Sequence, residues 1–170
     1  MLSFRKFLQE ADEHIRVQPK DKDDLIRIIE DTIQKEGNDC DLNFIDTSKI
    51  TDMSRLFEGK LYYFNGDISK WNTSNVKNMD RMFHDSEFNG DISKWNTSKV
   101  VTMESMFDNS LFKGDISKWD VSNVKDMRYM FCVSKFNGDI SKWNVSNVKR
   151  MYGAFKRSPL EGNEPDWYKL

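Results

Sequence analysis

The sequence predicts an α/β fold: a right-handed solenoid with a parallel sheet and an N-terminal helical cap. Three observations lead to this prediction. The hexapeptide Gly-Asp-Ile-Ser-Lys-Trp occurs at 66–71, 90–95, 114–119 and 138–143, so each copy starts 24 residues after the one before. Apolar residues recur at fixed places within each repeat, and amphipathic segments precede the first copy. A fixed period of about 20–50 residues is typical of chains whose units bury their apolar sides against one another.

The first part of each repeat has the spacing of a strand. In Ile-Ser-Lys-Trp-Asn-Val/Thr, the inward candidates occupy the first, fourth and sixth places. This is the spacing of the strand in a leucine-rich repeat, and the Trp and the Val or Thr, two residues apart, would point to one side. The expected fold is therefore leucine-rich-repeat-like, with coils stacked through a parallel sheet at about 4.8 Å per strand.

The second part of each repeat has helical spacing. Val76, Met79, Met82 and Phe83 are three or four residues apart or adjacent, which predicts one face of a short helix. The Ser before each such stretch is a candidate N-cap; these residues are Ser48, Ser74, Ser98, Ser122 and Ser146. The Asn-Gly-Asp or Lys-Gly-Asp that follows is typical of a turn, in which Gly is able to take a positive φ.

The N-terminal segment predicts two helices. Residues 3–13 and 21–36 carry apolar stripes at helical spacing, and Gly37 is a candidate C′ residue. We expect them to cover the open end of the first coil, although the first helix could instead dock a partner. The chain then divides into a helical cap (1–42), a repeat region of about five coils (43–158) and a C-terminal cap (159–170).

The composition of the chain argues against several classes of function. The 26 Lys and Arg residues nearly balance 28 Asp and Glu residues, which argues against a nucleic-acid binder. Residues 1–64 carry a net charge of −4 and residues 65–160 one of +4. No apolar run reaches the roughly 18 residues of a membrane span. The lack of a signal peptide and two expected free thiols, Cys40 and Cys132, favour a cytoplasmic location, with the cell surface as the alternative if another export route exists.

The five Trp residues fall at one repeat position. They are Trp71, Trp95, Trp119, Trp143 and Trp167. An exposed row of indoles could bind sugars or peptides, but the apolar residues around each Trp favour a buried column.

The outward positions of the predicted strands form the candidate binding surface. The candidates are Lys70, Asn72, Lys94, Asn96, Lys118, Asp120, Lys142 and Asn144, together with Tyr62 and Tyr63 at an irregular junction. Repeat proteins commonly bind partners through such a face. The alternative is a solvated face whose Lys residues discourage aggregation.

Chemistry beyond binding has little support in the sequence. The column Asp67, Asp91, Asp115 and Asp139 could hold calcium, but one carboxylate per coil favours turn capping. His14 and His84 lack partners at metal or triad spacing. We find no phosphate loop, nucleophile elbow or carboxylate pair, and so expect no catalytic residue, metal or cofactor and no enzyme activity.

The repeat also resembles a known family. The unit Phe-Asn-Gly-Asp-Ile-Ser-Lys-Trp-Asn-Val/Thr-Ser-Asn-Val-Lys-x-Met-x-x-Met-Phe is similar to BspA-like leucine-rich-repeat surface proteins, and more closely to a mycoplasmal lipoprotein repeat of unknown function. The resemblance covers about residues 40–167 and implies a cell-surface binding or adhesion protein, with further relatives in phages and large DNA viruses. This chain departs from the family in having neither a signal peptide nor a lipobox Cys.

The expected function is a non-catalytic protein–protein interaction module that binds through the concave strand face and adjacent loops. The alternatives are an intracellular inhibitor or effector of a host protein, of phage or viral origin, and a cell-surface adhesion module. A structural subunit that self-associates is a further class. The sequence leaves the partner and the oligomeric state open.

Overall fold

The computed structural model describes residues 16–168. Within this part of the chain the helices are α1 (Lys22–Glu36) and a 3-10 helix at Gly59–Leu61. The helix predicted over residues 3–13 lies outside the described residues. None of the described helices has the length and hydropathy needed to cross a membrane.

Helix α1 confirms the helix predicted over residues 21–36. The Asp21 side chain caps its first turn by accepting the backbone N–H of Asp24 at 2.9 Å. Gly37, at φ 88°, ends it by donating its N–H to the carbonyl of Ile33 at 2.8 Å. Buried positions on α1, Leu25, Ile29 and Thr32, belong to the face that packs inward.

Successive repeats lie side by side as a stack of coils. One parallel bridge position runs through five coils, in the order Asp52, Asn78, Thr102, Asp126 and Arg150. Around it, backbone N–H groups of one coil donate to carbonyls of the next at alternate residues: Met79 to Thr102, Arg81 to Glu104 and Phe83 to Met106, at 2.8–3.1 Å. We call these segments the ladder side. They are residues 51–59, 77–85, 101–109, 125–133 and 149–157.

The predicted leucine-rich-repeat-like α/β solenoid with a parallel sheet is wrong. The described residues contain isolated bridges but no strand and no sheet. The Ile-Ser-Lys-Trp segment is a tight turn, closed in the first full repeat by the Trp71 N–H donating to the Ile68 carbonyl at 3.1 Å. The predicted repeat helix is also absent there, because the N–H groups of Met79 and Phe83 donate to the next coil instead of to their own.

Left-handed backbone on the ladder side explains why no strand forms. Two positions per coil have a positive φ, four residues apart, and each bends a chain that would otherwise be extended. The first column is Arg55, Arg81, Ser105, Tyr129 and Gly153, and the second is Gly59, Asp85, Asn109, Val133 and Arg157, with φ between 52° and 70°. A residue with a Cβ pays about 1–2 kcal/mol for this conformation, so the contacts between coils must offset that cost.

Short polar side chains cap the turns of every coil. In each case the side-chain oxygen accepts the backbone N–H two residues later, the geometry of an Asx or Ser turn. One coil shows it at Asp91 to Ser93 (2.9 Å), Asn96 to Ser98 (3.1 Å) and Ser110 to Phe112 (3.1 Å). The Ser residues predicted as helix N-caps therefore have another role: their own N–H groups are capped by the preceding Asx side chain.

Columns of stacked aromatic rings fill the interior. The buried indoles of Trp71, Trp95, Trp119 and Trp143 are 3–5% exposed, and Trp95 stacks on Trp71 and on Trp119 with ring centroids 6.4 and 6.5 Å apart. The predicted buried Trp column is thus confirmed for these four residues, whereas Trp167 is only partly buried. Two Phe columns lie beside it, with neighbouring ring centroids 5.4–6.4 Å apart. They are Phe57, Phe83, Phe107, Phe131 and Phe155, and Phe64, Phe88, Phe112 and Phe136.

The Gly of the hexapeptide is required by close packing. A Cβ at Gly114 would lie 2.7 Å from the ring of Phe112, two residues earlier, and Gly90 and Gly138 are in the same position beside Phe88 and Phe136. These glycines are not among the residues with positive φ, so their turns do not use the left-handed conformation that Gly is able to adopt. The Phe-x-Gly spacing exists because the ring covers the Gly Cα.

Candidate binding surface

The hexapeptide turn places its Ser and Lys at an exposed corner. The Ile-to-Trp turn closes at 3.1–3.2 Å in all four copies, and the preceding Asp caps it through the Ser N–H at 2.9 Å. Because Ile and Trp point inward, the two residues between them lie at the tip of the turn. We call the segment from this turn to the following Thr73–Val76 turn, and its equivalents, the turn side.

The four Lys residues of this corner are exposed, as the sequence predicts. They are Lys70, Lys94, Lys118 and Lys142. Each lies near the Asp of its own turn, so the corner alternates positive and negative charge. The Ser N–H holds the pKa of Asp91, Asp115 and Asp139 below the ordinary value, and the Lys of the same turn lowers it further. These carboxylates are therefore ionised at neutral pH.

A small notch lies between two adjacent copies of this turn. Ser93, Lys94, Asp115 and Lys118 line a cavity of about 130 Å³. Two ammonium groups and one carboxylate give it a net positive charge. It is large enough for a carboxylate or amide side chain from a partner, but far smaller than the roughly 300–1,000 Å³ of a typical small-molecule site.

The second set of predicted residues is exposed and also structural. The set is Asn72, Asn96, Asp120 and Asn144, and each Oδ1 accepts the N–H of the Ser two residues later at 2.9–3.2 Å. This contact fixes the side chains in one orientation. These exposed Asn and Asp residues and the Lys residues of the corner together form what we call the Lys face.

The Tyr pair lies at a different corner. The rings of Tyr62 and Tyr63 have centroids 3.7 Å apart, and Tyr63 is 50% exposed. A hydrogen bond with Tyr63, and then burial, raises the pKa of Tyr62 to about 12. The Tyr62 carbonyl accepts the Glu87 N–H, so the pair adjoins the Ser86–Glu87 turn of the next coil. The structure does not bring these tyrosines into the Lys face.

The structure also assembles a charged cluster that the sequence did not reveal. His84 Nδ1 lies 3.3 Å from Glu58 and 3.1 Å from Asp85, and its Nε2 lies 3.7 Å from Asp108. Burial raises the pKa of Asp108 despite the nearby imidazole. The residues come from three coils, 24–26 residues apart. The repeat period places them at the same position in three successive coils, and this spacing is the sequence signal that could have found them.

The two thiols have no activating surroundings. Burial raises the pKa of Cys40 to about 11, and burial followed by the Asp108 carboxylate raises that of Cys132. A thiolate is therefore scarce on either residue near neutral pH. In residues 16–168, no group of three or more His, Cys, Asp or Glu side chains is arranged to hold a metal ion. The Asp column instead caps turns, in the way that the one-carboxylate-per-coil pattern favours.

Comparison with known families adds one finding. The family model described as "Mycoplasma protein of unknown function, DUF285" matches residues 27–132 and again residues 88–167. The two matches together span most of the chain and the whole repeat region. No curated protein and no solved structure matches the chain.

Proposed function

Since the chain belongs to this family of Mycoplasma proteins of unknown function, we propose a role from its own surface: a non-catalytic module that binds a protein partner through the Lys face. The observation that carries the proposal is the repetition of one exposed Lys and one fixed, exposed Asn or Asp at the same place in four consecutive coils. The candidate surface is the turn side, in place of the concave strand face that the sequence suggested.

Rigidity of this surface supports binding. Each Lys lies within a turn that is closed by a backbone hydrogen bond and capped by an Asp. Each Asn or Asp of the face is held by the Ser N–H two residues later. A partner therefore meets polar groups whose backbone is already ordered, which lowers the entropy cost of association.

The chemistry of the face indicates the kind of partner. Its ammonium groups and Asn NH₂ groups are donors, while the adjacent Asp column supplies carboxylates that are already engaged with Ser N–H groups. The complementary surface is one with carboxylates or carbonyls spaced at the interval between coils. We therefore expect a protein partner with an acidic stripe, bound more weakly as salt increases.

The family resemblance supports a further proposal about setting. The repeat consensus links this chain to BspA-like surface proteins, for which binding or adhesion at a cell surface is implied. Under that proposal the partner is a protein on another cell or in the surrounding medium. An intracellular inhibitor or effector would use the same face on a protein of its host, and fractionation of native cells distinguishes the two settings.

The test is a charge reversal with a matched control. A Lys94→Glu, Lys118→Glu, Lys142→Glu variant is compared with a Lys77→Glu, Lys125→Glu, Lys149→Glu variant, which makes the same charge change on the ladder side. The immobilised proteins capture partners from native-host extract, quantified by mass spectrometry. We expect the first variant to capture at least tenfold less of the specific partner than the wild type, and the second variant to capture as much as the wild type.

Near-ultraviolet circular dichroism of the buried Trp column checks that both variants keep the wild-type fold. Undiminished capture by a correctly folded Lys94, Lys118, Lys142 variant would overturn the assignment of the surface. An equal loss in both variants would show non-specific attraction between charges and would also overturn it.

A further inference from the structure

The ladder side has a charge distribution that the repeat does not require. Its first three segments, 51–59, 77–85 and 101–109, hold three Lys or Arg and six Asp or Glu, a net charge of −3. Its last two segments, 125–133 and 149–157, hold six Lys or Arg and one Asp, a net charge of +5. The same backbone ladder therefore presents an acidic half and a basic half, divided between the third and fourth segments.

The basic half has little internal compensation. Its single carboxylate, Asp126, is 3% exposed in its side chain and contacts both Arg128 and Arg150 at 2.8 and 3.0 Å. Lys156 and Arg157 are exposed in the last segment. The cations of this half thus form a surface of one sign, which costs repulsion unless an acidic surface faces it.

The acidic half keeps an excess of carboxylates after its own ion pairs are counted. Glu58 pairs with Arg55 at 3.2 Å and with Arg81 at 3.8 Å, and Glu104 pairs across the boundary with Arg128 at 2.8 Å. Asp85 remains 53% exposed in its side chain. The net charge of this half is opposite in sign to that of the basic half, and the two lie on one face.

We propose that the ladder side binds a second copy of this chain, with the two stacks antiparallel about a twofold axis near the boundary between the third and fourth segments. That arrangement sets each basic half against the acidic half of the partner. A parallel arrangement would set basic against basic and is disfavoured. A twofold contact uses one self-complementary patch twice, which is the commonest symmetry of soluble oligomers.

The basic half also offers an apolar anchor for this contact. Tyr152 is 61% exposed, and its ring meets that of Tyr129 edge to face with centroids 5.6 Å apart. Val133, on the same half, is 38% exposed. Exposed Tyr residues among charges are typical of interface centres. Because the face is only five segments long, about 20–25 Å at strand-like spacing, we expect a weak, salt-sensitive dimer.

The repeat itself supplies well-matched substitutions for a test. Asp85→Arg and Glu104→Arg make the face basic throughout, using the residues that the last coils carry at the same places, Arg157 and Arg128. Arg150→Asp, Lys156→Asp and Arg157→Asp change the net charge of the basic half from +5 to −1, using the residues that Asp126, Asp108 and Asp85 provide at the same places in earlier coils. Each substituted backbone position therefore already accepts the new residue elsewhere in the chain.

Analytical ultracentrifugation measures association of the full chain at 20 and 500 mM NaCl. We expect the wild type to dimerise at low salt, with a dissociation constant at least tenfold lower at 20 mM than at 500 mM NaCl. Each variant alone should be monomeric, and a 1:1 mixture of the two should form a heterodimer. A Lys94→Glu, Lys142→Glu variant, altered on the Lys face alone, should dimerise like the wild type.

A wild type that stays monomeric at every concentration and salt would overturn the proposal. So would a dimer insensitive to salt and to both reversals, or a mixture of correctly folded variants that does not associate. Loss of partner capture by the Lys-face variants does not bear on this result, so failures of the two proposals are distinguishable.

Discussion

Neighbouring coils are joined by side chains on the turn side and by the backbone on the ladder side. On the turn side, the Trp119 Nε1–H donates to the Ile92 carbonyl of the preceding coil at 3.1 Å, and the Thr97 hydroxyl donates to the Asp120 carbonyl of the next at 2.9 Å. On the ladder side, the backbone N–H of Ser105 donates to the Arg128 carbonyl at 2.8 Å.

This difference explains where the repeats can vary. A side-chain link specifies the residue, so Trp recurs in every copy. A backbone link specifies only the conformation, so one left-handed column holds Arg, Ser, Tyr and Gly in turn. The ladder side is therefore free to carry its unequal charges, whereas the turn side repeats the same Asp and Lys in all four copies of the hexapeptide.

The largest expected effect is the loss of a turn-side link. Trp119→Ala removes an indole that is 3% exposed, its stack on Trp95 and its hydrogen bond to Ile92. We expect it to lower the free energy of unfolding by about 3–5 kcal/mol, measured by urea titration. Ser105→Ala, which keeps the backbone link, should cost under about 1 kcal/mol. Similar costs for the two variants would contradict the distinction between the sides.

A smaller loss of stability is expected when a single hydroxyl that links two coils is removed. Thr97→Val removes the bond to the Asp120 carbonyl while nearly preserving shape, and should cost about 1 kcal/mol of unfolding free energy. Val121 occupies the equivalent position in the next coil, so Val121→Thr provides the converse, with the Asn144 carbonyl as acceptor, and should recover part of that cost. A Thr97→Val variant more stable than the wild type would show that these hydroxyls do not hold the coils together.

On the ladder side, the free energy of unfolding should depend on how well a residue tolerates a positive φ. Val133 is a β-branched residue at φ 55°, where Asn109 stands in the preceding coil at φ 52°. Asn tolerates this conformation better, so Val133→Asn should raise the free energy of unfolding by about 0.5–1 kcal/mol. Leu111→Asn, at an exposed residue without a positive φ, should bring no gain. A loss of stability at Val133 would contradict the strain argument.

The smallest expected effect is on the pH dependence of stability. It should have opposite signs for a carboxyl on the turn side and one on the ladder side. The Ser117 N–H lowers the pKa of Asp115, so the stability that this carboxylate contributes is present above the ordinary Asp pKa of 3.8 and is lost as pH falls through the lower pKa of the folded state. Burial raises the pKa of Asp108, so protonation favours the fold as pH falls.

Urea unfolding followed by Trp fluorescence between pH 7 and 3 tests this contrast. Asp115→Asn should make the loss of stability on acidification shallower, and Asp108→Asn should make it steeper. The same change of slope in both variants would contradict the opposite environments of these two carboxyls.

The part of the candidate surface that follows from which side chains point inward and which point outward was predictable from the sequence. The alternation of Ile and Trp with Ser and Lys correctly placed Lys94 and Lys118 outside and the Trp column inside. Tyr62 and Tyr63 are candidates from the sequence because they lie at an irregular junction of the repeats, but the chain turns a corner between Tyr63 and Lys70. The His84 cluster was missed because its carboxylates, Glu58 and Asp108, lie one coil away on either side.

The sequence by itself determined the period, the identity of the inward residues, the capped helix α1 and the exposure of the Lys column. These follow from local chemistry and from apolar spacing. Only the tertiary structure decided between strand, helix and turn, because an inward residue every two to four positions is compatible with all three. The choice depends on hydrogen bonds whose acceptors lie 23–27 residues away. Contacts between coils hold Arg81 and Val133 in a left-handed conformation that neither residue prefers alone.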